Sequence, residues 1–302
     1  MRPGIGREHG MNRVRSQRII LLILVLVVLA ETAWILRQRG AGGPAERWDY
    51  AIDTELSEDF GKALADGRIE VWFQPIVNPG SKETVGAEAL SRWRDGDGFI
   101  SPSVFIPALE ETGQIRDLDR HVFKTVCAFQ KERSEAGAEL FPVSVNLSVV
   151  SSMQEGIVSE YEEILRASGL PAGCVNIEVT ESLDADRDVL WQVVHDFHAA
   201  GFLVEIDDFG AGYASYANLA VIPYDILKID KSLIDEIGSD RGDRLIRDLI
   251  RLAKDFGMRT IAEGVETAAQ AEYLHSVGCD AIQGYYYFRP LPPHDFADYL
   301  AP

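Results

Sequence analysis

Polar residues able to do metal and phosphate chemistry recur at the ends of short apolar runs. Glu88 follows VGA, Asn146 follows VSV, and Glu178 lies within VNIEVTE. Asp207 and Asp208 end FLVEI, Lys228 and Asp230 end ILKID, Glu263 follows RTIA, and Gln283 follows AI. Singly, an acid in such a place is most often a helix N-cap or a solvated loop residue. Glu178 resists that reading, because an unpaired carboxylate inside an apolar run is costly to bury. Five carboxylates (Glu88, Glu178, Asp207, Asp208, Glu263) gathered at one mouth could not all stay ionised without cations. Oxygen donors with no Cys or His among them select hard cations, Mg2+, Mn2+ or Ca2+, over zinc. The six histidines are scattered. Only His195 and His198 have ligand-like spacing, and i, i+3 on an amphipathic helix more often marks a solvated face.

Elements must exist to bring these residues together. From Glu88 through Asn146, Glu178, Asp207, Lys228 and Glu263 to Gln283, successive separations are 58, 32, 29, 21, 35 and 20 residues. All but the first suit one strand–helix repeat. The first leaves room for an extra helix, for which 102-PSVFIPALEETG-113 is the candidate. The apolar runs are Val85–Leu90, Phe141–Leu147, Cys174–Thr180, Phe202–Ile206, Ile226–Ile229, Arg259–Ala262 and Ala281–Tyr287. Between them lie amphipathic segments: Ile157–Ser168, Asp188–Ala200, Asp243–Phe256 and Thr267–Val277. Gly169, Gly201, Gly257 and Gly278 stand where C-caps belong. The alternation predicts an α/β fold of βαβ units. A polar residue at the carboxyl end of strand after strand is how a (β/α)8 barrel assembles its site. A doubly wound open sheet is the alternative, but it gathers ligands at one switch point.

The chain of 302 residues carries a formal charge of -19, unevenly spread. Residues 1–39 hold seven Arg against two acids, so the remainder holds 22 basic against 46 acidic residues, a balance of -24. Such a body repels phosphate backbones, which argues against DNA or RNA binding. At 46% apolar and 25% charged the composition excludes intrinsic disorder. Three distant cysteines (Cys127, Cys174, Cys279) form no disulfide framework and fit a reducing compartment.

The basic head (1–18) leads into an apolar segment, 19–36, interrupted by Glu31-Thr32. As one piece it is 18 residues, the lower limit for a membrane-spanning helix. As two, its first part is a signal-peptide core with Val28-Leu29-Ala30 as cleavage site. Counted from Met1, five Arg precede the segment and three follow, which favours a cytoplasmic N-terminus; from Met11 it is three against three. Residues 37–51 read as a linker, and 52–302 as the folded domain.

In order and spacing, the segments 72-WFQPIV-77, 86-GAEALSRW-93, 145-VNLS-148, 177-IEVTES-182, 206-IDDFGAGYASY-216, 227-LKID-230, 262-AEGVET-267 and 283-QGYYYFRPLP-292 resemble the EAL-domain family. That family hydrolyses the bacterial second messenger cyclic di-GMP to linear pGpG. The resemblance implies a modified (β/α)8 TIM-type barrel with one antiparallel strand, and two divalent cations, Mg2+ or Mn2+, with Ca2+ inhibitory. It implies that Glu88, Asn146, Glu178 and Asp207 bind one ion, with Asp207, Asp208 and Glu263 around the second. It makes Glu88, Lys228, Glu263 and Glu266 catalytic, with Lys228 beside the attacking water and with Glu266 and Gln283 completing the metal and water shell. Arg92 holds a substrate phosphate, Gln74 and Gln283 lie near the nucleotide, and Glu181 anchors the loop 208–216. Two positions depart from the family: Ala211 replaces the usual Thr, and Ser151 an often-found Gln. Neither removes a catalytic group.

Two metals about 3.5–4 Å apart can activate a water and hold it in line with the leaving oxygen of a phosphodiester. The expectation is a metal-dependent phosphodiesterase. A receptor that binds cyclic di-GMP without turnover is the alternative, and a scaffold used only for protein contacts gives no reason for buried carboxylates. A cytoplasmic substrate places the body in the cytoplasm behind a single-pass inner-membrane anchor. A homodimer through helices beside loop 208–216 is a further family expectation.

Overall fold

Side-chain alternation along the apolar runs builds the architecture. The strands are β1 (Ile69–Val77), β2 (Thr84–Asp95), β3 (Gly98–Ile100), β4 (Val143–Asn146), β5 (Val175–Thr180), β6 (Leu203–Phe209), β7 (Ile226–Ile229), β8 (Arg259–Ala262) and β9 (Ala281–Ile282). They follow the order β1-β9-β8-β7-β6-β5-β4-β2, and β1 pairs back onto β2, so eight strands close into a barrel. β3 extends β2 as a hairpin outside the closure. β1 runs antiparallel to both neighbours, while β2 and β4 to β9 are parallel. The computed structural model describes residues 56–180, 187–211 and 216–300. The head, the membrane or signal segment, the linker, Glu181 and residues 212–215 of the expected loop 208–216 lie outside the described residues. Among the described residues no helix is long and apolar enough to cross a membrane.

The helix Ile157–Ser168 stands at the expected residues, and Arg187–Ala199, Asp240–Asp255 and Ala268–Ser276 differ from expectation only at their ends. Thr267 closes a capping box with Gln270, which fixes the start of the last of these. The long first gap holds two helices, Pro102–Thr112 and Ile115–Glu135. The run Ala281–Tyr287 is strand only over its first two residues. Beyond Gln283 the chain turns, with Tyr287 and Phe288 N–H groups donating to the Gly284 carbonyl.

Period-two geometry sorts the barrel residues into two sets. Outward side chains such as Phe73, Val145, Ile177, Val204, Leu227 and Ile229 join the core under the helices. There Phe73 stacks on Phe129 and Phe296 at 4.5 and 5.2 Å between ring centres. Each buried aliphatic or aromatic side chain contributes roughly 1.5–3 kcal/mol relative to exposure. With the outer face securing the barrel, the inner face is free to be polar.

The inward residues form two layers, one residue per strand in each. The upper layer is Gln74, Glu88, Asn146, Glu178, Asp207 and Lys228, continued by Glu263 and Gln283 just past β8 and β9. The ladder outlasts the formal strands there: the Glu263 N–H donates to Ile229 O at 3.0 Å, and the Gln283 N–H to Ala262 O at 2.8 Å. Below it lie Ile76, Gly86, Ser144, Asn176, Glu205, Ile226, Ile261 and Ala281, which together line a lower cavity.

Candidate active site and metal centre

Lys228 occupies the middle of the upper layer, its side chain 1% exposed. Its Nζ lies 2.5 Å from Glu178, 2.7 Å from Glu263, 3.1 Å from Asp207 and 3.7 Å from Glu88. Four carboxylates thus face one ammonium. In a low-dielectric interior such an excess of negative charge either takes up protons or recruits cations. The titration behaviour reflects this. Burial, then Asp207, holds Glu178 well above the usual carboxylate range. Burial also raises Glu263 strongly, against the pull of Lys228. At Asp207 burial pushes upward as well, but Lys228 and hydrogen bonds outweigh it and hold the carboxyl low. Lys228 is driven far up by its four acidic neighbours in spite of its burial.

Asp208 reaches the mouth by a backbone device. Neighbours on a strand point to opposite faces, yet Asp207 and Asp208 both approach the site. The β6–β7 register shifts between Ile206 and Phe209, and Asp208 takes a left-handed conformation with φ 54°. Asp tolerates this better than most residues. Partial desolvation, then Asp207 and Asp230, pushes its carboxyl up to about 6. Asp207, Asp208 and Glu263 each offer an oxygen within 4.8 Å of the others. Glu178 Oε2 is buried and accepts no hydrogen bond among the described residues. An orphaned carboxylate oxygen beside an all-oxygen donor set fits hard divalent cations.

The other expected residues divide. Gln283 is largely buried but lines the cleft, and its Nε2 donates to Glu88 Oε2 at 2.5 Å and to Gln74 Oε1 at 3.1 Å. Gln74 in turn donates to Phe288 O at 3.1 Å, tying β1 to the turn after β9. Asn146 Nδ2 lies 3.4 Å from Glu88 Oε1. Glu266 is not brought to Lys228; it is half-exposed and pairs with Lys231 at 3.3 Å. Arg92 sits further out on β2, 5.8 Å from the Trp72 ring centre and donating to Ser91 O at 2.9 Å. Burial lowers its guanidinium pKa, opposed by Tyr285 and Glu88.

Two cavities share Glu88 and Leu90 in their walls. One, of about 410 Å3, is lined by Gln74, Asp230, Lys231, Glu263, Glu266 and Tyr285 among others. The other, of about 300 Å3, is lined by Arg92, Asn146, Ser148, Asp119, Ile106 and Leu118 among others. Tyr285 and Asp119 were not singled out from the sequence. Tyr285 is one of three consecutive tyrosines, and only the fold shows that it faces the cleft, with the Arg289 guanidinium 4.1 Å from its ring centre. Asp119 is masked by its place in an ordinary amphipathic helix, where it accepts from the Ser148 N–H and Oγ at 3.0 and 2.7 Å.

The family profile described as "EAL domain" matches residues 57–290. The chain belongs to the EAL-domain family. It is 34% identical over 251 residues to the cyclic di-GMP phosphodiesterase NbdA of Pseudomonas aeruginosa, covering 82% of this chain and 32% of that protein. It is also 34% identical over 253 residues to the probable cyclic di-GMP phosphodiesterase PdeD of Escherichia coli, covering 83% and 47%. The chain therefore spans a third to a half of the length of these relatives. Among solved structures it resembles the PaMucR phosphodiesterase in complex with c-di-GMP, at 31% identity and a TM-score of 0.75, covering 80% of this chain and 99% of that one. In this EAL domain the tripeptide itself straddles the barrel wall. Glu88 points into the ring, Ala89 joins the outer core, and Leu90 lines both cavities.

Proposed function

We propose that this chain hydrolyses cyclic di-GMP to linear pGpG with the help of two divalent cations, Mg2+ or Mn2+. The observation that carries the proposal is the ring of four carboxylates around Lys228, whose charge one ammonium does not balance. The cleft supports the substrate class. Its two cavities lie on either side of Glu88 and Leu90, as suits a ligand with two nucleobases and a phosphodiester between them.

When bound, the cations would neutralise the phosphodiester and supply an activated water. Glu88, Asn146, Glu178, Asp207, Asp208 and Glu263 would hold them. Lys228 keeps a permanent positive charge at the centre, where the pentavalent transition state gathers negative charge. Gln283 and Gln74 fix the Glu88 carboxylate in one orientation, so little reorganisation is needed during the reaction. Arg92 stands beside the cleft as a phosphate ligand. Water adds at phosphorus, one P–O3′ bond breaks, and the proton leaves with the 3′ oxygen, giving a 5′-phosphate and a free 3′-hydroxyl. Glu266, on the wall of the same cavity beside Lys231, would complete the metal and water shell.

The full chain with Mg2+ or Mn2+ and cyclic di-GMP, assayed for pGpG, tests this. Tight binding without product would establish the receptor alternative. Normal turnover by Glu88→Ala would overturn the metal assignment. The apolar segment 19–36 supports an inner-membrane anchor with the barrel in the cytoplasm, beside the cytoplasmic substrate this reading requires. A C-terminal reporter active only in the periplasm would contradict that placement by lighting up. Homodimerisation is part of the same reading, and a monomeric mass in sedimentation would remove it.

A further inference from the structure

The β1–β2 ribbon continues past the carboxylate ring at the mouth of the barrel. Counting by twos from Gln74 and Glu88, its inner face carries Trp72 and Glu70 on β1, and Leu90, Arg92 and Arg94 on β2. In the pairing register Glu70 stands directly opposite Arg92, and Trp72 opposite Leu90. Opposite charges so placed ordinarily pair, since their Cβ atoms lie about 4.5–5.5 Å apart. Here they do not. Both Glu70 oxygens are occupied elsewhere: Oε1 accepts from Arg94 Nε at 2.5 Å, and Oε2 from Trp72 Nε1 at 2.9 Å. Burial pushes the Glu70 carboxyl up, but the bonds from Arg94 and Trp72 outweigh it and hold the acid low, hence charged.

Arg94 is the diagonal neighbour of Glu70, and β3 holds it from the other side. Phe99 stands opposite Arg94 in register, its ring centre 4.6 Å from the guanidinium. The Trp72 ring meets Phe99 edge-on at 5.3 Å between centres. The hairpin outside the barrel closure thus anchors the arginine that takes Glu70. Arg92, by contrast, makes no ion pair among the described residues. Its Nη1 donates to Ser91 O at 2.9 Å, and its guanidinium lies 5.8 Å from the Trp72 ring centre, on the wall of the cavity of about 300 Å3. A guanidinium beside an indole keeps its charge and most of its donors for a ligand.

We propose that Arg94 is a positioning residue: with Trp72 it clasps Glu70, keeps that acid off Arg92, and so leaves the Arg92 guanidinium open to a substrate phosphate. The inference rests on the assignment of Arg92 to a phosphate, and it names what keeps Arg92 available. Without the clasp a fraction of the molecules would hold Arg92 paired to Glu70, and the apparent affinity would fall accordingly.

The test is a double-mutant cycle on the full chain. It is read as KM and kcat for cyclic di-GMP with Mg2+, and as Kd by calorimetry with Ca2+ in its place. Arg94→Gln should raise KM and Kd about two- to fivefold, the weight of one cross-strand charge pair, and change kcat far less. Adding Glu70→Gln should bring both constants back toward wild type. Arg94→Lys should stay close to wild type, because an ammonium also engages Glu70. A merely structural clasp would make the double variant the weakest. Loss of Arg94 as a distant steering charge would give additive effects, with Glu70→Gln acting equally in both backgrounds. Either pattern overturns the proposal, as does an unchanged affinity in Arg94→Gln. Arg92→Met separates the two failures. If it weakens binding while the cycle is additive, only the clasp fails; if it changes nothing, the phosphate assignment fails and the clasp with it.

Discussion

Replacing Glu178 by Gln should stabilise the metal-free protein and abolish its stabilisation by Mg2+. Glu178 is 1% exposed, its Oε2 lacks a partner among the described residues, and burial followed by Asp207 raises its pKa strongly. Glutamine keeps the shape, still accepts from Lys228, and removes one of the four charges that Lys228 alone offsets. Relieving an unsatisfied buried acceptor is worth about 1–3 kcal/mol. At about 2–4 °C per kcal/mol for a domain of this size, the metal-free Tm at pH 8 should rise by about 2–12 °C. The sign with pH follows from linkage. A carboxyl whose folded pKa is raised contributes stability below its unfolded pKa and loses it as pH rises through the folded one. The gap between variant and wild type should therefore close as pH falls toward about 4.3, the unperturbed Glu value. With Mg2+ at a hundredfold its Kd, the wild-type chain gains about 2.7 kcal/mol, or about 5–11 °C, and the variant should gain little. Thermal unfolding with chelator and with Mg2+, across pH 4 to 9, reads every part of this. A metal-free loss of about 3–5 kcal/mol, the cost of breaking a buried ion pair, would refute the reasoning. Lys228 and Glu178 would then be a structural bridge rather than part of a cation seat.

Arg92→Met should raise KM for cyclic di-GMP about tenfold or more and change kcat far less, since it removes a charged contact to phosphate and no ring ligand. Equal losses in both would place Arg92 in the chemistry instead. Asp208 must lose its proton to bind a cation, as must Glu178 and Glu263, so below about pH 6 the Mg2+ affinity should fall at least tenfold per pH unit. Asp208→Asn should make that limb shallower by about one proton in a Mg2+ titration followed by calorimetry. Gly284→Ala would set a Cβ 2.2 Å from Val265 O, so the turn must move. The variant should lose about 1–3 kcal/mol of stability and also activity, because Gln283 is pulled from Glu88; unchanged kcat would show that this contact does not orient the carboxylate.

Much of this was legible in the sequence. Glu88, Glu178, Asp207, Lys228, Glu263 and Gln283 announce themselves because each is polar where its run is apolar, and a strand–helix repeat spaces them. β1 was the least legible strand by pattern alone. It is largely buried along both faces, so IEVWFQPIV lacks the alternation that marks a half-exposed strand. Glu266 lines the same cavity as Glu88 and Glu263 and pairs with Lys231, a placement set by how the chain after β8 turns and not by its local motif. Gln283 lines the cleft as its assignment to ligand contact requires, and the fold adds what the sequence did not show, that its amide nitrogen donates to Glu88 and Gln74.

Residue types and spacing alone determined the chemistry on offer: hard-cation donors, an ammonium, and the repeat that carries them. Strand alternation follows from local backbone geometry, so the sequence also fixed which residues share a face. Tertiary structure decided what closure brings together. Only the joining of β1 to β2 and β9 sets Gln74 beside Glu88 and Gln283, residues more than 200 positions apart at the extreme. Only the bulge at Asp207–Asp208 turns both acids to one mouth. The cavity beneath Lys228 likewise depends on eight side-chain volumes meeting, or failing to meet, across a closed barrel. Such sums over distant residues are not written in any local stretch of sequence.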